Sequence, residues 1–272
     1  MINKKNTLIA LGLILIVFIL LGLKNDVVIT EYNITDEKVN EELKIAFVSD
    51  THSCDFGQGH SEIMEKLEGL KPDLVLLGGD IVDDQLPMGK GFSLVEMISK
   101  RYPAFYVTGN HEIWSGKHEF IKQMIATFGV KVLSGGHEKI IIKGTTINIM
   151  GLDDPAVGGS IYHEQYSKLE TAPRDGLNLL LAHRPERGDE YVQLGVDYIF
   201  SGHAHGGQWR IPYILENGLY APDQGFFPKY TLGVHDLEKG RLIVSRGLSR
   251  ESTRIPRFYN RPEIVVINFK GD

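Results

Sequence analysis

Hydrophobic positions along this chain fall into two regimes. From Thr7 to Leu23 the sequence reads TLIALGLILIVFILLGL, seventeen uncharged and almost wholly apolar residues. That reaches the short end of the roughly 17–25 residues needed to cross a bilayer as a helix. A cleaved signal peptide is the rival, but its apolar region usually runs about 7–15 residues. After Leu20 comes LGLKNDVV, with no small-x-small cleavage pattern, so an uncleaved signal anchor is expected. Lys4 and Lys5 ahead of the helix belong on the cytoplasmic side, which places everything after it outside. The expected organisation is a cytoplasmic N-terminus over 1–6, a transmembrane signal anchor over 7–23, a polar, acidic tether over 24–43, and one folded domain over 44–272.

Beyond the tether the pattern alternates. KIAFVSD, DLVLLGGD and AFYVTGN are short apolar runs of the kind found in buried strands. Between and after them SEIMEKLEGL, GFSLVEMISKRY and SGKHEFIKQMIATFG carry helical spacing, with Ser61 as a candidate cap and Gly129 closing the third. This β-α-β-α-β-α order predicts an α/β sandwich that begins with a parallel sheet. In the second half, KIIIKGTTINIMGL predicts a hairpin around Gly144. LNLLLAHRP and VDYIFSGH predict strands around a short helix, ERGDEYVQLG. GRLIVSRG and EIVVINF predict late strands of a second sheet. No repeat, low-complexity tract or linker divides this part.

Composition changes the picture little. The chain has 272 residues and a formal charge of −6, so there is no basic footprint for nucleic acid. Its one cysteine, Cys54, excludes an internal disulfide framework and a cysteine-rich zinc site, and is expected as a wall residue rather than a ligand.

The candidate chemistry sits where the strands stop. FVSDTH carries Asp50 and His52; LLGGDIVDD carries Asp80 and Asp83; YVTGNHE carries Asn110 and His111; LLAHRP carries His183; FSGHAH carries His203 and His205. Ligands of open α/β sheets bind beyond the carboxyl ends of the strands, so five strand ends would aim these groups into one space. Oxygen and imidazole donors without thiolate suit Mn, Fe, Zn or Co. Two such cations about 3.5–4 Å apart can clamp a phosphoryl group, and Asp80 is the natural carboxylate to bridge them.

D-x-H, G-G-D-x-x-D, G-N-H-E, a lone His and G-H-x-H, all in order from about Lys44 onward, resemble the calcineurin-like metallophosphoesterase superfamily. The resemblance implies a four-layer α-β-β-α sandwich of two mixed sheets, with a dinuclear metal site at the strand C-terminal ends. It implies that Asp50, His52 and His205 hold one metal, that Asn110, His183 and His203 hold the other, and that Asp80 bridges. His111 would be the proton donor to the leaving oxygen, with Asp83 orienting its ring. The anchor, SGHAHGGQ, Ser245-Arg246-Gly247 and Arg261-Pro262-Glu263 are similar to the membrane-anchored branch, which includes phosphodiesterases and hydrolases of UDP-2,3-diacylglucosamine. Its export signals are sometimes twin-arginine, whereas here the N-terminus has Lys4-Lys5. The expected activity is hydrolysis of a phosphate ester, a phosphodiester or pyrophosphate such as a nucleotide-sugar lipid, by a single-pass membrane protein whose domain is extracytoplasmic. The alternative is a non-catalytic metal-containing membrane scaffold of the same fold.

Other residues draw plainer expectations. Glu112 is expected to be structural, as a cap of the following helix. Asp153-Asp154 is expected to form a turn. Arg246 and Arg250 are open between phosphate contacts and surface ion pairs. His60, His118, His137, His163 and His235 are expected at the surface or in packing. The aromatics of WRIPY and GFFPKY are expected in the core, the other reading being a lipid-facing groove.

Overall fold

The computed structural model describes residues 4–250 and 256–271; residues 1–3 of the expected N-terminal segment lie outside the described residues. Helix α1 (Lys4–Gly22) is followed by β1 (Val28–Thr35), β2 (Leu43–Val48), α2 (Ser61–Leu70), β3 (Leu74–Leu77) and α3 (Gly89–Ser99). Then come β4 (Ala104–Tyr106), α4 (Asn110–Trp114), α5 (His118–Thr127) and β5 (Lys131–Val132). The second half holds β6 (Gly136–Ile142), β7 (Thr145–Gly151), α6 (Gly159–Glu170), β8 (Leu177–Leu181), α7 (Gly188–Tyr191) and β9 (Tyr198–Ser201). It closes with β10 (Tyr220–Ala221), β11 (Gly225–Phe226), β12 (Gly233–Leu237), β13 (Gly240–Val244) and β14 (Glu263–Lys270).

Two six-stranded mixed sheets result, ordered β1-β14-β2-β3-β4-β5 and β12-β13-β9-β8-β7-β6. Strands β2 to β5 are parallel, as the alternating pattern predicts, and β6 and β7 form the expected hairpin. Strand side chains alternate between faces, and that alternation sorts the apolar residues into three cores. Leu43, Ile45 and Phe47 of β2 point between the sheets and meet Leu179 and Phe200 from the other sheet. Ala46 and Val48 point outward to α2, α3 and α5. On the far face, Leu180 and Ile199 meet Tyr162 and Leu169 of α6. The layers are therefore α-β-β-α. Phe47 and Phe200 tie the two sheets edge to face, with ring centroids 5.4 Å apart.

Four expectations are corrected. The stretch 24–43 contains β1, which pairs parallel with β14 over eight residues, so it carries an edge strand of the first sheet and is not a plain tether. Its one-sided alternation (Val28, Thr30, Tyr32 and Ile34 inward, their neighbours exposed) is that of an edge strand, which polar outward positions disguised. Strand β14 belongs to the first sheet, not the second, between β1 and β2 and antiparallel to β2. The aromatics of 209–227 are not core: Tyr213, Phe226 and Phe227 are 95%, 70% and 73% exposed. They lie on an excursion whose own sheet is only the two-residue pair of β10 and β11, outside all three cores. Tyr230, at the end of GFFPKY and beyond that excursion, is buried. Ser61 begins α2 as its first helical residue, and no side chain caps that helix.

Candidate metal centre

The five polar clusters follow the carboxyl ends of β2, β3, β4, β8 and β9 and converge in one buried place. Asp50, His52, Asp80, Asn110, His183, His203 and His205 are all buried. Backbone zips the first two loops together: the amides of Asp50, His52 and Ser53 donate to the carbonyls of Gly79, Asp80 and Ile81. Asp50, His52, Asp80, His203 and His205 adopt left-handed backbone, with φ between 47° and 65°. For non-glycine residues that conformation costs about 1–3 kcal/mol each and persists where the surroundings impose it, typically at functional sites. Close approach also dictates two glycines. A Cβ on Gly109 would lie 2.2 Å from Asp80 Oδ1, and one on Gly202 would lie 2.3 Å from Asp50 Oδ2.

Each carboxylate is held by one oxygen and leaves the other free. Asp50 Oδ1 accepts from the His203 amide and Asp80 Oδ1 from the His111 amide, both at 2.8 Å. Each imidazole is likewise held by one nitrogen. His52 Nδ1 meets Asp83 Oδ2 at 3.0 Å, and His183 Nδ1 donates to the Gly78 carbonyl at 2.7 Å. His203 Nε2 meets Asp223 Oδ2 at 2.8 Å, and His205 Nδ1 meets Ser249 Oγ at 3.0 Å. Because a carbonyl or carboxylate only accepts, the bonded nitrogen of His52, His183 and His203 is the one that donates, which leaves the other nitrogen of each ring for a ligand role. Partners of this kind fix metal-ligating histidines in position.

The atoms left over are the test of whether cations fit. Asp50 Oδ2, His52 Nε2, Asp80 Oδ2, Asn110 Oδ1 and His183 Nε2 are buried and make no hydrogen bond among the described residues. Buried polar atoms in folded proteins are nearly always bonded, so five orphans in one cluster mark a place for positive charge. His183 Nε2 comes within 3.1 Å of Asp80 Oδ2 and His52 Nε2 within 3.6 Å, yet neither contact has hydrogen-bond geometry. Atoms so arranged point toward common neighbours rather than at each other. Two triads have mutually close ligand atoms, Asp50–His52–His205 and Asp80–His183–His203. Asp80 Oδ2 approaches a ring from each, the position a bridging carboxylate requires. An all-oxygen and imidazole donor set of this kind fits borderline divalent cations.

Charge within the cluster is consistent with that fit. Burial opposes ionisation of Asp80, but the His183 and His52 rings hold it well below the usual carboxylate range. Burial also opposes a charged His183, yet Asp80 raises that imidazole to about 10: the field that would attract cations attracts a proton in their place. Burial, His52 and Arg257 keep His205 well below its ordinary value and so neutral.

His111 differs from these. Its side chain is 24% exposed and a ring nitrogen lies close to ligand atoms of His52 and Asp80. Nδ1 sits 2.6 Å from Asp84 Oδ1 and 3.4 Å from Asp83 Oδ2. Asp84, which sequence reasoning missed, is thus the nearer partner, and Asp83 chiefly holds His52. Burial lowers His111 but the carboxylates of Asp83, Asp80 and Asp84 outweigh it and lift the ring to about 9. Burial would raise Asp83, and hydrogen bonds from His111 and His52 hold it well below the ordinary carboxylate value.

Supporting residues beyond the motifs emerge only in three dimensions. Glu112 does accept the Gly109 amide at the start of α4, as a cap would, and also accepts the amides of Asp80, Ile81 and Val82. Fully buried, it moulds the whole Asp80 loop; burial and the nearby Asp80 charge push its carboxyl up to about 7. Asp154 opens the expected turn, its carbonyl accepting the Val157 amide and its side chain the Ala156 amide, but both carboxylates are buried. Asp153 accepts from Thr108 and Gln165, and Asp154 pairs with Arg184, whose other arm reaches Asp223 behind His203. Arg257, buried, donates to Ser249 Oγ behind His205. Arg246 is committed to Glu263 and Arg250 to Glu62, both as partly covered ion pairs. Cys54 packs in the core with α2, where a pocket-wall position was expected.

The calcineurin-like phosphoesterase family model matches residues 43–207, well over half of the chain. The uncharacterized metallophosphoesterase YkuE of Bacillus subtilis is 28% identical over 236 residues, covering 84% of this chain and 79% of its own. Phosphodiesterase YaeI of Escherichia coli is 26% identical over 201 residues, covering 72% and 70% respectively. Phosphopantetheinyl hydrolase of Mycobacterium tuberculosis shares the fold, with a TM-score of 0.50 at 12% identity over 81% of this chain and 96% of that one. The chain belongs to the calcineurin-like phosphoesterase family and is a metal-dependent phosphoester hydrolase.

Proposed function

We propose that this hydrolase cleaves a phosphodiester or pyrophosphate of a lipid-linked substrate, such as a nucleotide-sugar lipid, at a site held outside the cytoplasm by α1. Asp50, His52 and His205 would hold one divalent cation, Asn110, His183 and His203 a second, with Asp80 shared by both. When bound, two such cations polarise phosphoryl oxygens and acidify a water for in-line attack. His111 holds the proton that the departing oxygen needs, and Asp84 with Asp83 keeps its ring turned for delivery. Glu112 keeps Asp80 in register with His111 by binding the amides on both sides of the cluster. The five orphaned ligand atoms in one buried cluster carry this reading.

Three observations support the finer substrate. YaeI is a phosphodiesterase by name. Helix α1 is long and apolar enough to cross a membrane and almost wholly exposed. An apolar cavity of about 290 Å³, lined by Gln208, Trp209, Leu219, Tyr220 and Phe226, begins three residues after His205 and suits an aliphatic chain. The test is hydrolysis of bis-p-nitrophenyl phosphate with added manganese, then of UDP-linked and other lipid phosphoesters. Wild type should act on both, with His111→Ala and Asp80→Ala strongly impaired; equal rates in all three would overturn the assignment. Protease accessibility in spheroplasts checks the topology, since protection of the domain would place it in the cytoplasm.

A further inference from the structure

Trp209, Tyr213, Ile214, Tyr220, Phe226 and Phe227 lie on one excursion between β9 and β12, each between 44% and 95% exposed. Soluble surfaces scatter single apolar residues, but large clusters mark contacts with something apolar. The excursion is not loosely attached. The Leu219 amide donates to the carbonyls of both Gly207 and Trp209, and a Cβ on Gly207 would lie 2.2 Å from the Asn217 carbonyl. Its base is therefore built onto the His205 loop.

The same face continues into α1. Trp209 packs against Phe258 with centroids 6.1 Å apart, and Phe258 packs against Phe18 of α1 at 5.7 Å. Tyr259 donates its hydroxyl to the Phe18 carbonyl and its amide to the Gly22 carbonyl, and a Cβ on Gly22 would strike the Phe258 ring. The C-terminal turns of α1 are thus fixed to the domain, while its earlier turns project free of it. Nineteen residues at about 1.5 Å each span close to the roughly 30 Å of a bilayer's hydrocarbon. If α1 spans, the membrane surface passes beside Phe18 to Gly22, and the aromatic excursion must lie near that plane. Tryptophan and tyrosine favour this interface because one end of the ring system is apolar and the other can be wet.

We infer that the 209–227 excursion is a membrane-docking face, seated in the interfacial layer of the bilayer that α1 crosses, and that it sets the metal centre at a fixed orientation to lipid. The inference rests on the reading of α1 as an anchor. The occupant is lipid rather than a second copy because the face is continuous with α1, the one exposed apolar helix among the described residues.

The experiment uses the full chain reconstituted in phosphatidylcholine–phosphatidylglycerol vesicles. The protein has two tryptophans and α1 has none, so Trp114→Phe leaves Trp209 as sole reporter. Lipids brominated near the headgroup should quench Trp209 about twofold, and deeply brominated lipids less. In that background Ile214→Ser/Phe226→Ser/Phe227→Ser should float with vesicles as before but lose the quenching. Flotation without quenching of Trp209 would overturn docking while leaving the anchor intact. Blue-shifted emission indifferent to bromine would overturn it in favour of self-association. Failure to float would overturn the anchor and the docking face with it.

Discussion

Four positions separate His205 from Trp209, and the two regions they begin depart from ordinary core–solvent partition in opposite directions. Around His205, polar atoms are buried without partners; from Trp209 onward, apolar rings stand in solvent. Unbonded buried polar groups cost about 1–3 kcal/mol each, and exposed aromatics forfeit their burial. Neither departure helps the chain to fold. Both are backed by rigid supports, the Glu112 cradle for one and the Gly207–Leu219 contact for the other. Residues held at a cost by a stiff scaffold are shaped for something the chain does not itself supply. In the first region the chemistry of the donors calls for cations, and in the second it calls for an apolar phase.

The most severe way to break the first region is Asp80→Ala. Removing the carboxylate between the triads should lower kcat/KM on bis-p-nitrophenyl phosphate at least about 1000-fold. A chelator should lower the melting temperature of wild type, since a cation that binds only the folded form stabilises it. The same chelator should leave Asp80→Ala nearly unmoved. A variant that kept both its activity and its chelator response would remove Asp80 from the centre.

Next in size, His111→Ala should lose about 100-fold on p-nitrophenyl esters, in the range of general acid catalysis. The loss should be larger on alkyl phosphodiesters, whose leaving oxygen needs the proton more, with manganese affinity retained. An equal loss on both leaving groups would make His111 a positioning residue only.

How much of this was legible in the sequence depends on the range of the interactions. Motif residues at strand ends were readable because β2, β3, β4, β8 and β9 are short continuous apolar runs that stop at a polar cluster. The same alternation foretold an α/β sandwich with a parallel start, whereas its four layers came with the family resemblance. Strand β1 was not readable, because an edge strand with one polar face looks like linker until β14, some 230 residues away, pairs with it. The excursion was misread because aromatic content signals burial only when an element exists to bury it. Asp84, Asp223 and Ser249 carry no spacing signal, since each reaches its histidine through space, and Arg184 and Arg257 reach Asp223 and Ser249 in turn. Asp84 was the nearest to visible: it adjoins Asp83, and a pair of carboxylates beside one histidine invites the question of which is closer.

That question gives a third, smaller effect. Asp83 touches both His52 and His111, whereas Asp84 touches only His111 among the site histidines. Asp83→Asn should weaken manganese binding about 10-fold or more, as loss of a ligand's partner does, and slow turnover as well. Asp84→Asn should slow turnover less than His111→Ala and leave the manganese titration unchanged. Identical metal titrations for the two variants would mean that Asp83 does not hold His52 in solution.

The smallest effect belongs to the second region and sharpens the contrast most. In the core, truncating a phenylalanine costs about 3–5 kcal/mol. Phe226 and Phe227 are 70% and 73% exposed, so Phe226→Ser/Phe227→Ser should shift unfolding by no more than about 0.5 kcal/mol per site, as surface changes do. Hydrolysis of a small soluble diester, which has no aliphatic chain to place, should be unaltered. Urea unfolding of the two proteins in the same detergent measures the first quantity, and a p-nitrophenyl assay the second. A large loss of stability would mean that the rings are buried in solution, and the excursion would then be core after all. Unchanged stability beside a selective loss on vesicle-borne phosphoesters would separate the two regions cleanly, with cation chemistry in the strand-end loops and lipid contact in the segment that follows them.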